Sequence, residues 1–317
     1  MDEYDKRIAF ELMDNSRQTL RQLEQKVGLT APSIKKRIDQ LVEAGFIKKF
    51  IVYLDDKYIK ATQAIILVRT DGSVNLDMLV ERILEHKIVF LISPTTSGDL
   101  FLRLIYTESN ELTKLVEMLS DYSGVKNVEV HTTRIHEGGS DLSDFTVSQL
   151  RVLSQLVQDP RMPAHEIASR SGLKIRKVNQ NLETLVKENM IRFGMKWNRH
   201  GRGSSLVLGV IRYDSNQTTS DYINDWLNLR YPDEYWYLRV SLDEPVVFAV
   251  FSVNNIQFLE TLTKDIQNQE WTESVSVMIS YSSTNLDIPH ITMLIDLLTS
   301  HGLWPAPDER SRPVSIL

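Results

Sequence analysis

The 317-residue chain contains no cysteine. That absence removes disulfides, thiolate zinc sites, iron–sulfur clusters and cysteine nucleophiles together, and it fits a reducing compartment. Long apolar runs are missing as well: no window approaches 18 uncharged apolar residues, and Met1 to Arg7 is charged where a signal peptide would be apolar. The expectation is a soluble, cytoplasmic protein without a membrane partner. No phosphate-binding glycine loop or nucleophile elbow occurs. The seven histidines are scattered; His131 and His136 stand five apart across a strand end, and His86, His165, His200, His290 and His301 have no carboxylate or histidine at ligand spacing. Catalysis therefore has no candidate constellation, and neither a cofactor nor a metal is expected.

What is present is an ordinary globular balance, 42% hydrophobic and 25% charged residues, in a chain long enough for two or more packed cores. The net charge of −6 by itself argues against nucleic acid, but it is unevenly spread. Loop-like stretches at Glu137 to Asp141 and Arg199 to Ser205, with a softer break near Lys57 to Lys60, divide the chain. Residues 1–60 hold 12 basic and 10 acidic side chains, 61–144 hold 7 and 13, 145–203 hold 11 and 4, and 204–317 hold 6 and 15. One strongly basic segment is thus hidden inside an acidic total.

The alternation reflects a repeat. Shifted by 144 positions, Ile8 falls on Val152, Leu12 on Leu156, Arg17 on Arg161, Leu23 on Ile167, Gly28-Leu29 on Gly172-Leu173, Ile34 on Val178, Leu41 on Leu185 and Ile47 on Ile191, without a gap. In the first copy, apolar residues at three- and four-residue spacing predict helices near 2–14, 19–26 and 31–44, with Gly28-Leu29 as the turn before the third and Thr30 as its N-cap. Phe46 to Leu54 then reads as strand. This is the pattern of a winged helix-turn-helix with a hairpin-like extension.

On the third helix, Ile34, Ile38 and Leu41 face inward, which leaves Pro32, Ser33, Lys36 and Gln40 outward and Lys35 and Arg37 on the flanks. Long cations suit phosphates, and polar side chains reach base edges. The second copy offers Arg176, Lys177, Gln180 and Thr184 outward, and its wing adds Arg192, Lys196, Arg199 and Arg202. Lys174 replaces the Thr30 cap; a cation at the positive helix end costs about 1 kcal/mol unless an anion such as phosphate sits there. A basic segment in an acidic chain points to a polyanionic partner.

Residues 61–135 change period, giving the order β-α-β-β-α-β of a ferredoxin-like split βαβ unit, and residues 205–283 repeat it. One sheet face in each copy lacks a helical cover from its own unit and should bury itself against another such sheet, in the sister copy or in a second chain. The expected architecture is α+β: winged helix-turn-helix units at 1–56 and 145–200, ferredoxin-like units at 61–135 and 205–283, and a C-terminal helix and tail at 288–317.

With Asp14-Asn15-Ser16-Arg17, Gly28-Leu29-Thr30, Ala44-Gly45-Phe46-Ile47, Ser97-Gly98-Asp99 and Gly124-Val125 in place, residues 1–135 resemble the Lrp/AsnC, or feast/famine, family of transcriptional regulators. Residues 145–281 look like a second, more divergent copy. The resemblance implies a nucleoid-associated, sequence-specific regulator of double-stranded DNA, acting through Thr30 to Glu43 and Lys174 to Lys187, with the two copies as an intramolecular pseudo-dimer or with chains as homodimers through the sheets. It also implies a small effector, often an amino acid, near the loop before the third sheet strand. Here Thr96, Ser97, Gly98 and Asp99 are the candidates, against the plainer reading of a tight hairpin turn. The corresponding loop of the second copy, Leu242-Asp243-Glu244-Pro245, has no glycine.

Two other classes compete. Siroheme decarboxylases share the fused architecture, and that resemblance implies His and Tyr near the end of the second sheet strand; Val89 to Ile92 and Tyr235 to Arg239 contain no His. The apolar helix after Pro289 also fits an interaction or architectural chromatin module, although such a helix more often covers a neighbouring element.

Overall fold

In a computed structural model, described here for residues 2–198, 205–253, 255 and 257–304, the chain begins with three helices, α1 (Glu3–Asp14), α2 (Leu20–Val27) and α3 (Ala31–Glu43), followed by strand β1 (Ile47–Leu54). The helices form because Ile8, Leu12, Leu23, Ile34, Ile38 and Leu41 share one interior, each at most 8% exposed. Capping boxes start α1 at Asp2 and α2 at Thr19, and Gly28 ends α2 at φ +80°, a conformation an L side chain rarely takes. The second set is α6 (Val147–Leu156), α7 (Ala164–Ser171), α8 (Ile175–Lys187) and β6 (Ile191–Trp197). Gly172 closes α7 as Gly28 closes α2.

Between and after these sets lie two sheets. The first is built from β2 (Lys60–Thr70), β3 (Val89–Pro94), β4 (Leu100–Tyr106) and β5 (Val125–Glu137), with helices α4 (Leu76–Leu84) and α5 (Ser109–Ser120). Its strand order is β3-β4-β2-β5, extended at the β3 edge by the short β11 (Thr284–Asn285). The second contains β7 (Ser205–Tyr213), β8 (Tyr235–Val240), β9 (Val246–Val253) and β10 (Thr272–Ser280), with α9 (Ser220–Arg230) and α10 (Gln257–Gln267), in the order β10-β7-β9-β8. The last helix is α11 (Pro289–Ser300).

The central strands are apolar on both faces because both faces are covered. Along β2, Ala64, Ile66 and Val68 pack under α4 and α5, while Ile65 and Leu67 join a different core. Along β7, Val207 and Ile211 face α9 and α10, while Leu206, Leu208 and Val210 enter that same second core. The helix-free faces of the two sheets therefore bury each other, together with Trp236, Phe248 and the α1–α3 unit. Backbone bonds tie the layers: Thr96 N–H to the Ile279 carbonyl (2.9 Å) and Leu242 N–H to the Thr132 carbonyl (2.7 Å).

The wings differ from the expected hairpins. β1 pairs antiparallel with β6 of the other copy, from Ile47↔Trp197 to Leu54↔Ile191. Each strand is an open edge beside its own three helices, and the partner that satisfies its backbone groups is its own repeat. Successive side chains of β1 then feed two cores: Ile47 and Phe50 go to the one around Trp236, Val52 and Leu54 to the one around α6–α8 and α11. The repeated arginine follows the same exchange. Arg17 donates to the carbonyls of Pro160 (2.6 Å) and Met162 (2.8 Å) and lies over Phe193 of β6, while Arg161 lies over Phe50 of β1. Residues matched by the repeat thus hold the two copies to each other. α11 buries Leu294 and Leu298 against the second helical set. The tail expected after this helix, from residue 305 on, lies outside the described residues.

Candidate nucleic-acid interface

The turn α2–Gly28–α3 presents α3, and Thr30 occupies the N-cap position. Its hydroxyl bonds the Ser33 hydroxyl (3.0 Å) rather than a backbone N–H, and Glu24 instead accepts the Ala31 N–H (2.5 Å). Ser33, Lys35, Lys36 and Gln40 are all exposed, as the inward packing of Ile34, Ile38 and Leu41 requires. Lys35 pairs with Asp39 one turn on (2.7 Å), an exposed pair that releases easily. On α8, Val178, Asn181 and Leu185 are buried, and Lys174, Arg176, Lys177 and Gln180 are exposed. Lys174 holds the N-cap position without any side-chain cap bond, so the first backbone donors of α8 have no capping side chain.

Three residues expected to meet DNA are ion-paired within the chain. Arg37 is bound within its own unit, donating to Asp2 (2.8 Å) and to the buried Asp5 (2.8 Å), and it covers the Tyr4 ring. It fastens α3 to α1. Arg192 is bound to Asp55 (2.6 Å) and Lys196 to Asp287. Both lie on β6, whose pairing with β1 turns it into the inter-copy ribbon, and both line a cleft between the copies instead of an outer wing. Arg199 and Arg202 lie outside the described residues.

The loop from Thr95 to Asp99 takes the tight-turn form weighed against an effector site. Asp99 is 7% exposed, and its carboxylate accepts from Arg69 (3.0 Å), the Thr70 N–H (2.9 Å) and the Ser97 hydroxyl (2.9 Å). The Thr96 N–H is bound to Ile279, and Gly98 has φ +84° with a Cβ position 3.4 Å from the Thr70 hydroxyl. These bonds make Thr96, Ser97, Gly98 and Asp99 a hairpin turn that docks on the second sheet, with the Asp99 carboxylate and the Ser97 hydroxyl bonded within the chain.

Comparison with known proteins bears on the exposed helices. The winged helix-turn-helix DNA-binding family model matches residues 1–48 and again 146–192, one match in each copy. The HTH-type transcriptional regulator Rv2324 of Mycobacterium tuberculosis is 27% identical over 131 residues, 41% of this chain and 88% of its own. The uncharacterized HTH-type transcriptional regulator PH0045 of Pyrococcus horikoshii is 45% identical over 58 residues, 18% of this chain and 37% of its own. The chain thus resembles DNA-binding regulators of the Lrp/AsnC kind. Over the whole length, the Lrp/AsnC-like chain shares its fold with the siroheme decarboxylase NirDL, at 15% identity, TM-score 0.54, and coverage of 95% of this chain and 100% of the other. That protein in complex with an iron-uroporphyrin III analogue gives a TM-score of 0.56. At 15% identity the likeness carries the fold and nothing about chemistry. No helix among the described residues is long and apolar enough to cross a membrane.

Sequence reasoning missed the cleft. Its residues come from seven strands, α1 and the start of α11, so no local spacing announces it. Of its cations, Arg192 and Lys196 are those the sequence places on an outer wing.

Proposed function

We propose that the chain is a fused pseudo-dimer: two winged helix-turn-helix units, at 1–56 and 145–200, mounted on two ferredoxin-like units, at 61–135 and 205–283, and reading two adjacent stretches of duplex DNA. The observation that carries this reading is the pair of exposed helix faces, Ser33, Lys36 and Gln40 on α3 and Lys174, Arg176, Lys177 and Gln180 on α8. In each, the cations are placed for phosphates and the amide or hydroxyl groups for base edges. The sheet order β3-β4-β2-β5, repeated as β10-β7-β9-β8, supports the two ferredoxin-like units, and the mutual burial of their bare faces supports a dimer-like core within one chain. No catalytic role is assigned.

The test is selection of bound fragments from random duplexes followed by footprinting. A discrete protected segment with two contacted major-groove patches is the expected result; uniform weak binding to every fragment at low salt, with no footprint, overturns sequence-specific reading.

A further inference from the structure

The two helical sets are supported in different ways. The α1–α3 set is part of the core between the sheets: Ile8, Leu12 and Ile34 share one apolar cluster with Ile65 of β2, Leu208 of β7 and Phe248 of β9. Phe10 of α1 meets Trp236 of β8 with ring centroids 5.1 Å apart, and Lys6 donates to the Pro232 carbonyl. The α6–α8 set has no such seat. Among the described residues, its cluster contains nothing from β2–β5 or β7–β10; it contains β1 and β6, the linkers at Tyr58 and Phe145, and Leu294, Leu297 and Leu298 of α11.

The ribbon alone is a poor support for a unit that must keep one direction. An isolated pair of strands is marginally stable and takes a wide range of twist. The arginines that reinforce it, Arg17 and Arg161, are stacked on its own Phe193 and Phe50. One line of attachment acts as a hinge, and a second attachment off that line removes the rotation.

The C-terminal segment supplies the second attachment, with its foot on the first copy. β11 adds to the β3 edge, Thr284 opposite Ile92 and Asn285 opposite Leu91, and the Leu286 N–H donates to the Phe90 carbonyl (2.9 Å). In the first turn of α11, the His290 ring stands edge-on to His136 of β5 at 5.8 Å, and its Nε2 is 3.1 Å from Asp56 Oδ1. The head lies in the second set: Leu294 and Leu298 are fully buried there, and Gly302 at φ +67° lets the Leu303 N–H fold back on the Leu298 carbonyl (2.9 Å). At 1.5 Å per residue, α11 spans about 18 Å between foot and head.

Met293 is the joint. It packs on Ile59, Ala61 and Ile105 of the first copy and also on the second helical core. It stands about 100° around the helix from Leu294, which is how one helix faces two cores. The first sheet is followed by no such segment: after β5 the Ser140 N–H donates to the Lys57 carbonyl (3.0 Å), and the chain passes through a short turn at Leu142–Asp144 directly into α6.

We propose that residues 284–300 form a strut that fixes the direction of α8 relative to α3. On the reading of two adjacent DNA stretches, on which this consequence rests, the strut makes the two helices a rigid bivalent reader. The second contact then adds affinity only where its half-site stands at the spacing the strut imposes, because the effective concentration of a linked unit collapses where the geometry forbids both contacts. Met293 is a positioning residue, acting through the α6–α8 core and not on the duplex.

The chain has no cysteine, so Asp39→Cys on α3 and Glu183→Cys on α8, both at exposed positions, carry a pair of nitroxide labels without background. Pulsed electron–electron resonance on the full chain without DNA then gives the distance distribution between the helices. The foot variant, Leu286→Pro with Met293→Ala, removes the donor to Phe90 and the joint but keeps Leu294, Leu297 and Leu298. A narrow distribution is expected with the native foot, and one at least about twofold broader in the foot variant at unchanged helix content by circular dichroism. Met293→Leu alone, which keeps an apolar joint, should stay narrow. For DNA, the probes are a duplex recovered by the selection and the same duplex with a few base pairs inserted between its two protected patches. Insertion should weaken binding by the native chain about tenfold and by the foot variant less than about threefold. A distribution as narrow in the foot variant as with the native foot, a broad distribution with the native foot, or equal losses on insertion in both proteins overturns the proposal. Recovery of no duplex with two patches would defeat the DNA reading instead, and the label distances, measured without DNA, would still decide the strut.

Discussion

Removing charge from α8 tests whether its exposed cations, and not those of the ribbon, meet DNA. Lys36, Lys174, Arg176 and Lys177 are exposed and have no ion-pair partner among the described residues. If each meets one phosphate, the logarithm of the binding constant falls with the logarithm of salt at a slope of roughly 3.6, since each neutralised phosphate contributes about 0.9. Raising salt from about 50 to about 200 mM then weakens binding roughly 150-fold. The double variant Arg176→Gln with Lys177→Gln removes two contacts, which lowers the slope to roughly 1.8 and the loss to about 12-fold over the same interval. Arg192→Gln should leave the slope untouched, because Arg192 is bound to Asp55 at 2.6 Å on the inter-copy ribbon. Fluorescence anisotropy of a labelled duplex across a salt series reads all three proteins. An equal fall in slope for Arg192→Gln, or none for the α8 double variant, would refute the division between the two sets.

Phe248 is fully buried between the sheets, with its ring 5.0 Å from His131 of the other copy, so Phe248→Ala should cost about 3–5 kcal/mol in chemical denaturation. A loss below about 1 kcal/mol would mean that the sheet faces do not pack there. Arg37→Ala leaves the buried Asp5 without its cation and should cost roughly 1–2 kcal/mol of stability while the salt slope of DNA binding stays constant; a lower slope would return Arg37 to the interface. Lys6 lies under the second sheet, bonded to the Pro232 carbonyl and near the Phe10 and Trp236 rings, and burial lowers its pKa from 10.5 to about 8 against the pull of Asp233, Glu234 and Glu3. The folded state then binds fewer protons than the unfolded state between pH 8 and 10.5, so stability rises with pH there, by about 2 kcal/mol from pH 7 to 9.5. Lys6→Met should flatten that rise in calorimetric melts, and a variant that keeps it would assign the rise to another group.

The helical sets were legible because their signals are local: an amphipathic spacing, a capping residue and a glycine at φ +80° lie within a dozen residues of one another. The order of elements likewise told that each bare sheet face packs on another such sheet, although not whether that sheet belongs to the sister copy or to a second chain. The ribbon was not legible. A strand that ends a winged unit looks the same whether it folds back on its neighbour or pairs with a strand 144 residues away, and the choice is made by which edge is free once both copies are present. The same long-range choice moved Arg192 and Lys196 from an outer surface to the seam. Asp99 stayed open between two readings for another reason: a Ser-Gly-Asp turn has identical residues whether its carboxylate waits for a ligand or closes on Arg69, and that arginine stands 30 residues earlier.

The ribbon and the divergence of the copies together bear on what kind of DNA site is read. A homodimer presents the same helix twice and so favours a palindrome. Here the equivalent outward positions differ: Pro32, Ser33, Lys36 and Gln40 on α3 correspond to Arg176, Lys177, Gln180 and Thr184 on α8. The amide lies one helical turn nearer the N-terminus on α8, where extra cations also cluster, so the two helices cannot prefer the same base sequence in the same register. Fusion makes this divergence safe. Because β1 pairs with β6 of the same chain and the bare sheet faces cover each other, the arrangement does not depend on chain concentration, and each helix is free to specialise without losing its partner. On the pseudo-dimer reading, the recognised site is therefore two unlike half-sites at fixed spacing, the α3 half dominated by base-edge contacts and the α8 half by phosphates.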